Sequence, residues 1–411
     1  MKKLVLLLLV LACTAGFAQK QPAVKTGIDV LIRSGFAPLH GKRVGLITNP
    51  TGIAGDLRAT IDILAKADGV KLTALYGPEH GVRGDVTAGG HVDTFTDSAT
   101  GVPVYSLYGK TRKPTPEMLQ DVDVLVYDIQ DIGARSYTYI NTMAYAMEAA
   151  AEQNKEFIVL DRPNPLGADR VEGNILDLKF SSFVGQYAIP YVYGMTCGEL
   201  AEYLNNEGLL SGKVKCTLTV IKMEGYRRSM TWQETGLPWV PTSPHIPHAE
   251  TALDYSVTGI MGELNSINIG VGYTMPFQLI GAPWIDGRRF AAAMNARNLP
   301  GVQFRALSYK PYYGGMKDKA LGGVQIYIQD PAKANLVNVQ LYAFETLYAL
   351  YPEHNLFEES RDRNDMFDKV MGTDAVRLAL EKKAPAETII ASWKPAIDEF
   401  MARRKAYLLY H

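Results

Sequence analysis

Five short apolar runs in the first 160 residues alternate with stretches of helical spacing, and each run stops at a polar, glycine- or proline-bearing loop. The runs cover 43–48 (RVGLIT), 70–76, 102–108, 123–129 (DVLVYDI) and 157–160 (FIVL). Between them, 56–66 and a long stretch from about 139 to 153 repeat apolar residues at helical spacing; 197–205 predicts a further helix and 215–222 a further strand. Runs this short and this continuously apolar suit strands buried on both faces, and strands separated by helices imply a mostly parallel sheet in an α/β fold. Ligands of such sheets bind beyond the carboxyl ends of the strands. The strand-exit loops NPTG (49–52), GPEHGVRGD (77–85), YGKTRKPTP (108–116), QDIGARSYTY (130–139) and DRPNP (161–165) are therefore expected to converge on one rim.

The second half has a different texture. A proline-rich segment, WVPTSPHIPH (239–248), reads as a crossover between domains. Beyond it, 252–259, 336–350, 374–381 and the C-terminal 397–408 predict helices, 323–329 a strand, and 308–323 a Tyr-, Gly- and Lys-rich loop. The expected organisation is a leader at 1–18, an α/β domain over 19–240 and a smaller α+β domain over 241–411 that caps the first.

Lys2 and Lys3, the apolar run 4–12 and Gly16-Phe17-Ala18 before Gln19 have the pattern of an export signal cleaved after Ala18. The run is too short to span a bilayer. Val10-Leu11-Ala12-Cys13 also resembles a lipoprotein signal, which would make Cys13 a lipid anchor. The expected location is periplasmic or secreted, with a lipid tether as the alternative. With 42 basic and 43 acidic side chains, the chain offers no electrostatic case for nucleic acid or an anionic membrane surface. Cys197 and Cys216 remain after leader removal and could pair in an oxidising compartment.

No GxGxxG follows the first strand, and neither a GxxxxGK[ST] loop nor a GxSxG elbow occurs. His245-Ile246-Pro247-His248 has an HxxH spacing, but Pro247 prevents the regular helix that would aim both rings one way, so no metal site is expected. Carboxylates on the rim remain. Glycosidic cleavage ordinarily uses one carboxyl that protonates the leaving oxygen and a second that acts as base or nucleophile. Glu79, stiffened by Pro78 and flanked by His80 and Arg83, is the first candidate; an exposed turn with a Glu79–Arg83 pair is the ordinary alternative. Asp128, Asp131 and Arg135 form a second set, equally readable as a surface ion pair and a capping residue. Glu263, in an irregular segment rich in Asn, Ser and Gly, is the best second carboxylate from the other domain. Tyr137 and Tyr193, taken singly, read as packing.

In this order the loops GLITNPTG (45–52), LYGPEHGVRGD (75–85), LVYDIQDIGARSYTY (125–139), VLDRPNPLG (159–167), EGNILD (172–177), IPYVYGMTCGELA (189–201), LPWVPTSPHIP (237–247) and the YLLY ending (407–410) resemble the exo-β-N-acetylmuramidase family of peptidoglycan hydrolases, the NamZ-type enzymes. The resemblance implies a Rossmann-like N-terminal domain and an active site in the interdomain cleft. It also implies cofactor-free removal of N-acetylmuramic acid from the non-reducing ends of peptidoglycan fragments. It places Glu79 as the catalytic residue; the reading of the residues adds Asp131 or Glu263 as the second carboxyl and His80 as a hydrogen-bond partner holding Glu79. Asp128, Asp131, Arg135 and Tyr137 are carried over as cleft residues; Asn164 and Tyr193 are further expected substrate-binding residues, and Arg83, Arg135 and Lys110 are the expected partners for the lactyl carboxylate. The chain departs from the family pattern at Leu264, Asn265 and Val271, and at Ala168, where a second glycine is common. The rival functions are a non-catalytic muropeptide-binding protein and an esterase or amidase acting on peptidoglycan decorations.

Overall fold

A computed structural model describes residues 24–84 and 94–411; the leader, Cys13 and Asp85 lie outside the described residues. The strands are β1 (Arg43–Thr48), β2 (Lys71–Gly77), β3 (Phe95–Thr96), β4 (Pro103–Ser106), β5 (Val124–Asp128), β6 (Glu156–Leu160), the separate antiparallel pair β7 (Glu172–Ile175) and β8 (Pro190–Val192), and β9 (Thr217–Ile221). Among the described residues the main sheet runs β3-β4-β2-β1-β5-β6-β9, parallel throughout except for the edge strand β3.

The alternation along β5 explains why its run is continuously apolar. Leu125 and Tyr127 pack on one face with the helices Tyr139–Glu152 and Cys197–Asn206, while Val124 and Val126 pack on the other with the helices Gly27–Arg33 and Thr60–Lys66. All five residues of β5 are buried, as expected of a sheet covered on both sides. The chain leaves β1 toward β2 and β4, then returns to the other side through β5, β6 and β9. The order reverses between β1 and β5, and such a switch point opens a crevice at the carboxyl edge.

The second domain contains an antiparallel sheet in the order β10-β12-β11, with β10 at Leu279–Ala282, β11 at Val302–Tyr309 and β12 at Leu321–Ile328. The helix Gly287–Ala296 covers it, and the helix Leu336–Leu350 packs against that helix. Its core is continuous with the first domain, because Ile132, Ala134, Leu166, Tyr191 and Val192 belong to the same apolar cluster. Cys197 and Cys216 are both buried free thiols. Among the described residues, no helix is long and apolar enough to cross a membrane.

The C-terminal helix begins much earlier than its sequence suggests, running over Ala386–Arg404 with Pro395 inside it. Proline in a helix interior costs about 3 kcal/mol, which argues for a start after it. Ile389, Trp393 and Phe400, buried on this helix, outweigh that cost. The tail then returns to the first domain. The Tyr410 hydroxyl donates to Asp161 Oδ2 at 2.6 Å and accepts from the Met223 N–H at 2.9 Å, while the Leu409 N–H donates to Glu199 Oε1 at 2.8 Å. Burial raises the Asp161 pKa to about 6, opposed by the Tyr410, Thr196 and Gly198 donors. Tyr410→Phe keeps the ring contact with Tyr226 but strands the buried Met223 N–H and removes one of the donors to Asp161, so urea denaturation should show a loss of about 1–3 kcal/mol with an unchanged m-value.

Candidate active site

The loops after β2, β4 and β5 converge with elements of the second domain on a cleft of about 530 Å³. From the first domain come Glu79 and His80, then Tyr108 and Arg112, then Ser136 to Tyr139, with Ser182 to Val184 closing one side. Ser243 to Ile246 of the crossover, Tyr255, Glu263, Phe277, Met366 and Lys369 supply the facing wall. The size suits a small ligand site, commonly about 300–1,000 Å³.

The turn carrying Glu79 is set by backbone geometry. His80 has φ 74°, a left-handed conformation that is uncommon for a side-chain-bearing residue. The Gly81 N–H donates to the Pro78 carbonyl at 3.0 Å, and Val82 is buried beneath the turn. Strain of this kind persists where the surroundings impose it, often at functional sites. The Thr138 hydroxyl donates to Glu79 Oε2 at 3.4 Å. Tyr108 bonds the same carboxylate, and its pKa is pushed up to about 12, first by burial and then by the Glu79 charge. Phe277, at φ 67°, is a second strained residue on the cleft wall.

Glu263 lies in a 3-10 turn, where Arg363 clamps it. The Arg363 guanidinium donates to Glu263 Oε2 at 2.6 Å and to its backbone carbonyl at 3.1 Å. Burial raises the Glu263 pKa against the opposing pull of Arg363. Glu79 and Glu263 thus reach one cleft from two domains. His80 and Tyr137 also line it; Tyr137 packs edge-on against Tyr139 and Tyr255, and its hydroxyl donates to Thr242 Oγ1 at 2.8 Å.

The other expected residues are placed elsewhere. Arg83 turns away from the cleft toward Asp97 (2.8 Å) and Asp62 (3.1 Å), and it holds the Asp97 carboxyl down at about 2. Asp128 is wholly buried against Arg162 at 2.6 Å. Asp131 is buried behind the cleft wall, accepting from the Gly133 N–H at 2.7 Å and from the Tyr193 hydroxyl. Tyr193 is spent on that bond. Asn164 accepts from the Leu166 N–H and donates to the Met195 carbonyl, both at 2.9 Å, which fixes its own loop. Arg135 is fully buried and donates to the backbone carbonyls of Asn174, Ile189, Val370 and Met371. Lys110 is exposed and is not part of the lining. Asp128, Asp131 and Arg135 lie on the expected loops but point inward, because the loops themselves contain backbone groups and counter-charges that need partners.

Sequence reasoning missed Arg112, Lys369 and His245 as cleft residues. Arg112 stacks over the Phe183 ring at 4.4 Å, Lys369 pairs with Asp365 at 2.5 Å, and His245 Nε2 bonds the Tyr313 hydroxyl at 2.7 Å. Arg112 lies two residues from Lys110 in a loop already placed on the rim, but only side-chain direction separates them. The HxxH pair drew attention as a metal motif. Among the described residues, no group of three or more His, Cys, Asp or Glu side chains could hold a metal ion.

Two family models divide the chain between them. Exo-beta-N-acetylmuramidase NamZ, N-terminal, matches residues 44–250, and exo-beta-N-acetylmuramidase NamZ, C-terminal, matches 253–410. The chain belongs to the exo-β-N-acetylmuramidase NamZ family. It is 47% identical over 391 residues to the peptidoglycan beta-N-acetylmuramidase NamZ of Bacillus subtilis (strain 168), covering 95% of this chain and 92% of that protein. Two crystal structures of DUF1343 family proteins from Bacteroides fragilis NCTC 9343 share the architecture. One has a TM-score of 0.91 at 53% identity, the other 0.77 at 31%, and each comparison covers 94% of this chain and 99% of the other. The departures from the family pattern noted above fall outside the cleft lining: Leu264 and Ala168 are buried, and Val271 packs against the core of the second domain.

Burial raises the Asp131 pKa to about 7, against the opposing hydrogen bonds from Tyr193 and Gly133. A carboxyl whose pKa is higher folded than unfolded adds stability below its unfolded value, near 4, and loses it as pH rises through the folded value. Asp131→Asn should therefore flatten the wild-type fall in melting temperature between about pH 4 and pH 7. An unchanged slope would show that Asp131 is ionised in the folded protein.

Proposed function

We infer that this protein is a glycosidase that removes N-acetylmuramic acid from the non-reducing end of peptidoglycan glycan. The observation that carries the chemistry is the meeting of Glu79 and Glu263 in one cleft between two domains. Hydrolysis breaks the bond from the anomeric carbon to the bridging oxygen. The oxygen leaves with a proton, and water supplies the new oxygen at the anomeric carbon. Glu79 is the proton-transfer group. It lies on an open strand-exit turn, held by the Thr138 and Tyr108 hydroxyls, where a carboxyl can both give and recover a proton. Glu263, clamped by Arg363, is the second carboxyl; its fixed position suits stabilising positive charge at the anomeric centre or orienting water.

The muramic lactyl carboxylate distinguishes this sugar from N-acetylglucosamine, and Arg112 is its partner. A guanidinium can bind a carboxylate with two parallel hydrogen bonds, and the Phe183 ring beneath Arg112 holds its plane. Arg83 and Arg135, both engaged elsewhere, cannot serve. A cell-wall substrate accords with export through the leader at 1–18, and we propose an extracytoplasmic location, with Cys13 lipidation as the alternative to a soluble form.

Glu79→Gln should cut release of muramic acid from a chromogenic muramide by roughly 10²–10⁴-fold while leaving the melting temperature nearly unchanged. Wild-type turnover in that variant would remove Glu79 from the chemistry. Arg112→Ala should raise KM for the muramide by roughly tenfold or more without changing the rate on the matching N-acetylglucosaminide. Equal effects on both sugars would exclude Arg112 as the lactyl partner.

A further inference from the structure

The loop between β11 and β12 carries two neighbouring tyrosines that the fold does not bury. Tyr312 is 53% exposed and Tyr313 40% exposed, with ring centroids 5.4 Å apart. Tyr273 continues the row at 6.4 Å from Tyr312 and 5.3 Å from Tyr309. The row is joined to the catalytic cleft, since Tyr313 stacks on and bonds the cleft residue His245.

This shelf is pre-formed. Met316, at the loop's centre, is buried with Leu279, Tyr309 and Leu321. The Tyr312 N–H donates to the Gly272 carbonyl at 2.8 Å, and a Cβ on Gly272 would lie 2.2 Å from the Tyr313 carbonyl oxygen, so only glycine allows this approach. Lys310, Lys317 and Lys319 are exposed in the same loop and make no ion pair among the described residues; Asp318 is the only acid between β11 and β12. Contiguous exposed aromatic surface rimmed by charge marks a binding face.

We propose that Tyr312 and Tyr313, with the surrounding lysines, form a secondary binding shelf for the glycan strand beyond the scissile bond. This rests on the glycosidase reading above. Aromatic faces stack against the C–H faces of sugars, and every second sugar of a peptidoglycan strand carries a lactyl or stem-peptide group whose carboxylates the lysines meet. The shelf lets the enzyme prefer long strands although its chemistry concerns only the terminal sugar.

The test compares an aryl muramide, which ends at the scissile bond, with muramic-acid-terminated strands several sugars long. Tyr312→Ala should lower kcat/KM on the strands by about tenfold and leave the aryl muramide rate unchanged. Tyr312→Phe, which keeps the stacking face, should retain the wild-type ratio, and Lys317→Ala with Lys319→Ala should reduce the salt dependence of strand turnover. Equal losses on both substrates, or no loss on either, would overturn the shelf. Should the wild type cleave neither substrate, the glycosidase reading fails by itself. Calorimetric titration with intact strands then decides the shelf separately: weaker binding by Tyr312→Ala supports it and equal binding overturns it.

Discussion

Arg135 is a buried cation that has no carboxylate partner among the described residues and is solvated instead by backbone carbonyls drawn from both domains. Asn174 and Ile189 accept from one terminal nitrogen, at 2.8 and 2.7 Å, and Met371 and Val370 from the other, at 2.7 and 3.3 Å. The last two are at the carboxyl end of the helix Asn364–Met371, where a cation complements both the unpaired carbonyls and the helix dipole. Gly372, at φ 79°, ends that helix, and a Cβ there would meet the guanidinium at 2.7 Å. Burial without a counter-ion lowers the Arg135 pKa to about 10. The cost is tolerated because the same side chain fixes the helix that brings Met366 and Lys369 to the cleft.

This arrangement makes the cleft a property of the domain pair rather than of either domain. Glu79 belongs to the parallel sheet, and Glu263 hangs from the second domain through Arg363. Their separation is thus set by the Arg135 joint and by the shared apolar core around Tyr191, Val192 and Ile260. Carboxyl separation governs the course of glycosidic cleavage, so under the proposed roles of Glu79 and Glu263 residues far from the cleft set part of its geometry.

The first domain was largely legible because its strands are buried on both faces and their apolar runs are uninterrupted. The second was less so: β10 is buried but only four residues long, β11 and the helix Gly287–Ala296 are half-exposed elements with mixed patterns, and Pro395 hides the start of the last helix. In the site, Glu79 could be read from a strand exit and from the GPEHG resemblance. Arg83, Asp128 and Arg135 share those loops, yet their charges are consumed by Asp97, Arg162 and backbone carbonyls. Side-chain direction in an irregular loop depends on partners tens to hundreds of residues away, which local pattern does not encode. Arg112 was missed for the same reason.

The return of the tail to the first domain bears on how the polypeptide acquires its structure in time. Asp161, at the carboxyl end of β6, receives one of its hydroxyl donors from Tyr410, and Arg404 donates to the carbonyls of Gly194 and Ala168. Those partners follow the last strand of the main sheet, β9 at Thr217–Ile221, by more than 180 residues. All seven strands of the main sheet are therefore made before the side chains that complete the bonding of Asp161 and of the Gly194 and Ala168 carbonyls. The tail is thus a late latch on a sheet already laid down, and its contacts come to the first domain last.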